Sequence, residues 1–214
     1  IVTRPQPREE VAIETDKSIA AIVLAAGQSS RMEGKNKLLE DFKGKPLVRR
    51  AAEAAIASKA SPVIVVTGKD SEQVRHALQG LDVRLVNNPD FAEGLSSSLK
   101  AGIRAVPDDC KGALICLGDM PQVSAALIDK LIENFAPDRG AMIVAPVRNR
   151  QRGNPLLWAR RFFPELLKLE GDIGARKLAH FYDEGLKEIE VSDDAAFADI
   201  DTPEALAAAR KAAQ

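Results

Sequence analysis

From Ser18 onward, short uninterrupted apolar runs alternate with longer stretches whose apolar residues recur every three or four positions. The runs Ile19–Ala25, Val63–Thr67, 83–86, 113–117 and 142–145 predict strands. Several contain no internal polar residue, the mark of a strand covered on both faces. Between them, 46–60, 71–78, 97–106 and 124–135 carry the spacing of amphipathic helices. Such alternation predicts an α/β protein in which a mostly parallel sheet lies between two helical layers. Further on, 154–158 and 187–191 read as two more strands, around helical segments at 159–169 and 173–181. A final helix opens at D-T-P-E-A-L, with Thr202 as cap and Pro203 at the first helical position.

The pattern sets residues 18–214 apart as one domain. The stretch before it carries two prolines and many charges, so 1–17 reads as a linker or tail. An opening at Ile1 rather than Met suggests the C-terminal part of a longer protein. The composition, 45% apolar and 29% charged over 214 residues, is that of an ordinary globular chain. Lys plus Arg (30) balance Asp plus Glu (31), so no net field draws the chain to nucleic acid or an anionic membrane. With neither an 18-residue apolar stretch nor a leader-like N-terminus, the sequence points to the cytoplasm. The two cysteines lack the spacing of a zinc or redox pair, and Cys116 is expected buried and Cys110 exposed. His76 reads as one half of a solvated helix pair with Glu72, and His180 as packing on a helix.

In an open α/β sheet the ligand crevice lies beyond the carboxyl ends of the strands, so the residues after each strand carry the chemistry. After the first strand run come Leu24, Ala25, Ala26, Gly27, Gln28, Ser29, Ser30 and Arg31, then Asn36-Lys37-Leu38-Leu39. Small residues at 25–27 let backbone N–H groups approach an anion closely. Arg31 offers a planar fork for phosphate oxygens and Lys37 a compact positive charge. A triphosphate cradle and a solvated surface loop both remain open from this segment alone. Neither the Walker A spacing nor G-x-G-x-x-G occurs here. After the fourth strand run, Gly118-Asp119-Met120-Pro121 places a carboxylate at the end of a buried element, which suits Mg²⁺ as well as a simple turn cap.

The run Leu24-Ala25-Ala26-Gly27, Ser29, Arg31-Met32 and Asn36-Lys37-Leu38-Leu39 resembles the signature of the MobA-like nucleotidyltransferases, closest to the molybdenum cofactor cytidylyltransferases. In the same order follow N-P-D-F-A-E-G-L-S-S-S-L-K-A-G-I at 88–103, G-D-M-P-Q-V at 118–123 and R-G-N-P at 152–155. G-D-I-G-A-R at 171–176 and D-I-D-T-P-E at 199–204 complete the series, so the resemblance spans 18–214. Glu33 and Lys35 depart from the family's usual glycine and proline in the outer part of the phosphate loop. The resemblance implies a three-layer α/β/α Rossmann-like nucleotidyltransferase fold. It implies that Asp119 binds the metal; a second ligand comes from Asp201 or Asp199, and the resemblance favours Asp201, although Asp201 also fits as a cap before Thr202-Pro203. Leu24 through Gly27, Ser29, Arg31, Lys37, Asn88 and Gly118 would then hold the nucleotide. Ser96, Ser97, Arg152 and Asn154 would shape the acceptor pocket, between 88–98 and 152–176. Asp172 equally reads as the cap of the helix that follows it.

No Ser/Cys–His arrangement or general base is evident in the sequence, and transfer to an already ionised phosphate needs none. The resemblance therefore implies transfer of CMP from CTP to a molybdopterin-type cofactor, with Mg²⁺ on Asp119 and with Arg31 and Lys37 on the departing pyrophosphate. Ala26 resembles the cytidylyl branch, whose guanylyl relatives tend to carry glycine there. A molybdenum hydroxylase is the implied recipient of the product. Two alternatives stand beside this reading: transfer from GTP or to a sugar- or polyol-phosphate, and a non-catalytic module that delivers a pterin cofactor.

Overall fold

The computed structural model describes residues 18–27 and 35–212. In chain order the elements are strand β1 (Ile19–Ala25), the small hairpin β2 (Asp41–Phe42) and β3 (Lys45–Pro46), helix α1 (Leu47–Ile56), β4 (Val63–Thr67), α2 (Ser71–Ala77), β5 (Arg84–Asn87) and α3 (Leu95–Arg104). Then follow β6 (Gly112–Leu117), α4 (Ala125–Glu133), β7 (Ile143–Arg148), β8 (Gln151–Arg152), β9 (Leu156–Ala159), α5 (Phe163–Leu166), α6 (Ala175–Leu178), β10 (Leu186–Glu190) and α7 (Pro203–Ala212).

The main sheet runs β10-β7-β9-β6-β1-β4-β5, with β8 pairing on β7. β1 pairs parallel to β4 and β6, β4 to β5, and β7 to β10, while β9 runs antiparallel to both β6 and β7. The sheet is thus mostly parallel but mixed, as the alternating pattern predicts. Strand residues alternate between its two faces. Ala21, Val23 and Ala25 of β1 join α1, α2 and α4 in one apolar layer. Ala20, Ile22 and Leu24 join α3, α5 and α6 in the other. Both faces of β1 are therefore dry, which is why its seven residues are all apolar and all buried.

The chain passes from β1 outward through β4 and β5, then returns to place β6 on the other side of β1. Strand order reverses there, so a crevice opens between the carboxyl ends of β1 and β6. Ala26 and Gly27 after β1 and the Gly118-Asp119 turn after β6 both lie at this point. A third, smaller apolar cluster of Phe42, Leu47, Ile200 and Leu206 fastens α7 and the segment before it against the β2–β3 hairpin.

Several expected elements shift. The helix expected over 159–169 divides into a 3-10 turn at Arg160–Phe162 and the short α5, which has Pro164 in its first turn. The one expected over 173–181 likewise divides into α6 and a 3-10 turn at Ala179–Phe181. α3 begins two residues earlier than the spacing indicates, and β9 begins only after the cis Asn154–Pro155 bond. Cys110, expected at the surface, is buried at 1% exposure, because its Sγ lies 3.3 Å from Ser18 Oγ beneath the Arg160 side chain that bonds its carbonyl. In α2, Glu72 pairs with Arg75 at 3.5 Å instead of His76. His180 is exposed in a 3-10 turn, its Nδ1 lying 3.2 Å from an Arg152 guanidinium nitrogen. The tail at 1–17 lies outside the described residues, within which no helix is long and apolar enough to cross a membrane.

Cys116 is buried in the layer under α1 and α4, and burial pushes its thiol up to about 12. Cys110 is buried in the opposite layer. Thiol titration of the native protein at pH 8 should therefore find neither cysteine reacting within minutes, and both after denaturation. A single fast thiol in the native state would show that one of the two layers is open.

Candidate active site

The crevice at the strand reversal holds a cavity of about 750 Å³. Leu24, Ala26 and Gly27 line it from the β1 side, Leu117 and Asp119 from β6, and Lys37 and Leu38 from the 3-10 turn at Lys37–Leu39. Gly94, Leu95 and Ser98 at the start of α3 close it on one flank, and Asp199 and Asp201 on another.

Local rules explain how the charged groups come to face each other. Asn36 caps the 3-10 turn: its Oδ1 accepts from the Leu38 backbone N–H at 3.1 Å, and its Nδ2 donates to Asp70 at 3.2 Å. Leu38, 3% exposed, is driven into the core, which holds the neighbouring Lys37 toward the crevice. Across from it, the Gly118 N–H donates to the Leu24 carbonyl at 3.0 Å, locking the turn that bears Asp119 onto β1. A Cβ on Gly118 would lie 3.0 Å from that same carbonyl oxygen. The Ile200 N–H donates to the Asp119 carbonyl at 3.1 Å while its side chain enters the small core. Asp199 and Asp201, on either side of Ile200, both line the cavity. Thr202 Oγ1 accepts from the Ala205 N–H at 3.2 Å, so Thr202 supplies the cap of α7.

The result is a compact charge cluster. Lys37 Nζ donates to Asp119 Oδ2 at 2.6 Å and also to Asp201 Oδ1. Burial presses the Lys37 ammonium toward a lower pKa, but Asp119 and then Asp201 outweigh it and hold the group above the ordinary lysine value. Burial lifts the Asp119 carboxyl above the usual aspartate range; Lys37 opposes this, and the nearby Asp201 and Asp199 add to it. These directions agree physically, since one ammonium faces three carboxylates and negative charge is left over. Asp119 Oδ1 is buried without a hydrogen-bond partner. An orphaned carboxylate oxygen beside further carboxylates is a hard oxygen donor set, and it fits a divalent ion of the Mg²⁺ type that takes one or two carboxylates. Among the described residues no group of three or more His, Cys, Asp or Glu suffices to hold a metal unaided, so phosphate oxygens and water would complete the shell.

The other expected residues divide into distinct sets. Arg31 and Ser29 lie outside the described residues. Leu24, Ala26, Gly27, Lys37, Asp119 and Asp201 come together around the cavity, with Ala25 and Gly118 buried behind it. Asn88 is a strut: its amide donates to Ser97 Oγ at 2.9 Å and to Ser98 Oγ at 3.1 Å. Ser97 Oγ in turn donates to the Gly94 carbonyl at 2.8 Å, which accounts for two of the three serines by internal bonding. Asn88, Ser96 and Ser97 line a neighbouring cavity of about 590 Å³ on the outer side of α3, rather than the crevice. Asn154 lines an apolar recess of about 160 Å³ that shares Leu24, Leu95 and Leu117 with the crevice. Arg152 is placed elsewhere, bonded to Asp183 at 2.9 Å and Glu188 at 2.6 Å, and it lines neither this recess nor the crevice.

Asp172 does not cap its own helix. Its Oδ1 accepts from the Leu95 N–H at 3.2 Å, at the start of α3, while Gly174 stands at the cap of α6. Gly94, at φ +104°, packs so tightly on this loop that a Cβ would lie 2.6 Å from the Gly171 carbonyl carbon. Sequence reasoning missed Arg176 and Phe91 as lining residues, and Asp199, the alternative to Asp201, lines the cavity with it. Arg176 was signalled by its place in G-D-I-G-A-R.

Comparison with known proteins agrees with this architecture. The MobA-like NTP transferase domain matches residues 21–188. A nucleotidyl transferase from Methanothermobacter thermautotroptrophicus (Mth528) superposes with a TM-score of 0.80 at 28% identity, over 91% of this chain and 97% of that one. Rv0371C from Mycobacterium tuberculosis H37Rv, in complex with manganese, gives a TM-score of 0.74 at 25% identity, over 91% and 98%. Nicotine blue oxidoreductase from Paenarthrobacter nicotinovorans is 28% identical over 192 residues, 87% of this chain and 93% of that protein. The bifunctional GlmU proteins are longer, and the chain spans 31% of the one from Agrobacterium fabrum. Sequence, sheet order and the crevice at the strand reversal converge: the chain belongs to the MobA-like NTP transferase family and is a nucleotidyltransferase.

Proposed function

We propose that this nucleotidyltransferase moves CMP from CTP to the terminal phosphate of a molybdopterin-type cofactor and releases pyrophosphate. The observation that carries the reading is the buried, unpartnered Asp119 Oδ1, set with Asp201 and Lys37 at the mouth of a polyanion-sized crevice. An ionised phosphate oxygen of the acceptor attacks the α-phosphorus of CTP in line. One P–O bond forms while the bond to the β-phosphate oxygen breaks, and pyrophosphate leaves with the electron pair. Because the nucleophile is already an anion, the enzyme's contribution is alignment and charge neutralisation.

The roles follow from position. Asp119 and Asp201 would hold Mg²⁺, which when bound supplies charge neutralisation at the phosphoryl oxygens. Lys37 faces the leaving pyrophosphate, with Arg31 as the forked partner that the resemblance assigns. Leu24 through Gly27 provide close backbone approach to the triphosphate, as small residues allow, and Ser29 is a further contact that the resemblance assigns. Arg176 and the start of α3 face the crevice from the acceptor side. The apolar recess bearing Asn154 offers room for a flat ring beside the reacting phosphate, and the outer face at Ser96 and Ser97 adjoins it through α3. We further propose a cytoplasmic enzyme whose domain occupies 18–214, whose product passes to a molybdenum hydroxylase, and whose partners are small molecules rather than nucleic acid.

Nucleotide choice rests on Ala26. Its side chain is buried at 3% exposure and lines the crevice. A methyl there narrows the base pocket in favour of a pyrimidine, worth about 1–3 kcal/mol.

Two outcomes are expected in an anaerobic pyrophosphate-release assay with molybdopterin. Asp119→Ala should lower turnover about a thousandfold while the fold persists by circular dichroism, since Lys37 keeps Asp201 as a partner. Retained turnover would sink the metal assignment. Wild-type enzyme should prefer CTP over GTP, and Ala26→Gly should shift the ratio of kcat/KM values toward GTP by about tenfold or more. Equal rates with the two nucleotides in the wild type would overturn the cytidylyl reading, and release with a sugar phosphate in place of molybdopterin would redirect the acceptor.

A further inference from the structure

We propose that Lys37 is a resident cation of the metal site: its ammonium occupies the space between Asp119 and Asp201 and must leave before a divalent ion can use both carboxylates. The inference rests on the reading of those two aspartates as the metal ligands. It goes beyond that reading by giving Lys37 two successive partners, first the carboxylates and then the polyphosphate.

The geometry is specific. A single Nζ donates to one oxygen of Asp119 and one of Asp201, residues 82 and 164 positions away in the chain, and the lysine side chain is only 12% exposed. Asn36 and Leu38 fix the backbone on either side, so the ammonium is delivered to this point by the fold and not by a chance surface rotamer. A divalent ion on the remaining oxygens, Asp119 Oδ1 among them, would lie a few ångströms from Nζ, and like charges that close repel strongly in a partly desolvated site. Metal binding therefore carries the cost of displacing Lys37 from two charge-assisted hydrogen bonds. A triphosphate in the crevice removes much of that cost by offering the ammonium another anion. By linkage, whatever draws Lys37 away tightens metal binding, and metal binding equally tightens the hold on the polyphosphate. The lysine is thus a positioning residue for the metal as well as a contact for substrate, and it disfavours occupancy of the site by metal alone.

The readout is metal affinity without nucleotide, followed by the loss of the free Mn²⁺ signal in electron paramagnetic resonance. Mn²⁺ is the probe because it takes the same oxygen ligands. Lys37→Met and Lys37→Gln should each bind Mn²⁺ about tenfold or more tightly than wild type. Adding Asp119→Asn to Lys37→Met should erase that gain. Equal affinities in wild type and both lysine variants would overturn this inference while leaving the two-aspartate metal site standing. No Mn²⁺ binding by any of these proteins would instead remove the metal site itself, and the inference with it. Should the lysine variants not fold, wild-type crystals soaked in Mn²⁺ decide the matter. A manganese peak beside Asp119 should coincide with Lys37 Nζ withdrawn from that carboxylate; a peak there with Nζ still bonded to both aspartates would overturn the proposal.

Discussion

A carboxylate at the end of a strand buried on both faces has to be met by positive charge, and the arrangement of this molecule around Asp119 follows from that requirement. β6 runs up the middle of the sheet between β1 and β9, so its carboxyl end opens into the crevice, where Asp119 is largely buried. Lys37 answers the charge from a turn held by Asn36 and Leu38, and Asp201 is brought beside both by the bond from the Ile200 N–H to the Asp119 carbonyl. Replacing a buried ion cluster of this kind by well-packed apolar residues is often neutral or stabilising. The cluster is therefore a poor means of stabilising a fold. On the proposed reading it is a store of negative charge that a divalent cation would use.

The part of this that could be read from sequence is the part that depends on short-range patterning. β1 and β4 were legible because a strand dry on both sides must be apolar at every position, and Ile19–Ala25 and Val63–Thr67 leave no other period to choose. The placement of Asp119 was legible for the same reason, since it follows directly on β6. What resisted reading was fixed by long-range packing. Nothing local in 156–159 says that β9 inserts antiparallel between β6 and β7. Cys110 lies in a polar stretch of sequence, yet Ser18 and Arg160, 92 and 50 residues away, cover it. Arg152 reads as a binding cation, and only the folded chain shows it committed to Asp183 and Glu188 on the strand-edge side.

The three serines at the start of α3 show where a local argument reaches its limit. Helix capping accounts for one hydroxyl, and the surplus invites a ligand. In the folded chain the surplus is taken up by Asn88, whose amide bridges Ser97 and Ser98 and so ties the end of β5 to the first turn of α3. A buried amide with both donors used is a brace, and leaving any partner unpaired would be expensive. The signal had been a cluster of polar residues at an apolar position; polar groups buried together satisfy each other as readily as they bind substrate.

Asp172 extends the same logic across the molecule. Because it caps α3 rather than the helix that follows it, the loop at 171–174 is fixed to the half of the domain that carries the β1 loop and Lys37. The φ of +104° at Gly94 and its packing against the Gly171 backbone leave no room to loosen that junction. The segment that follows is built of short helices and 3-10 turns, with Ala175 and Ala179 in the core and Ile173 and Phe181 exposed. The segment is held to α3 by the Asp172 cap, the Ser96 N–H bond to the Gly171 carbonyl at 3.0 Å and the Gly94 contact, and to the core by Ala175 and Ala179. Residues beyond that junction can vary without disturbing the charge cluster, because the sheet and the small core around Ile200 hold the cluster independently.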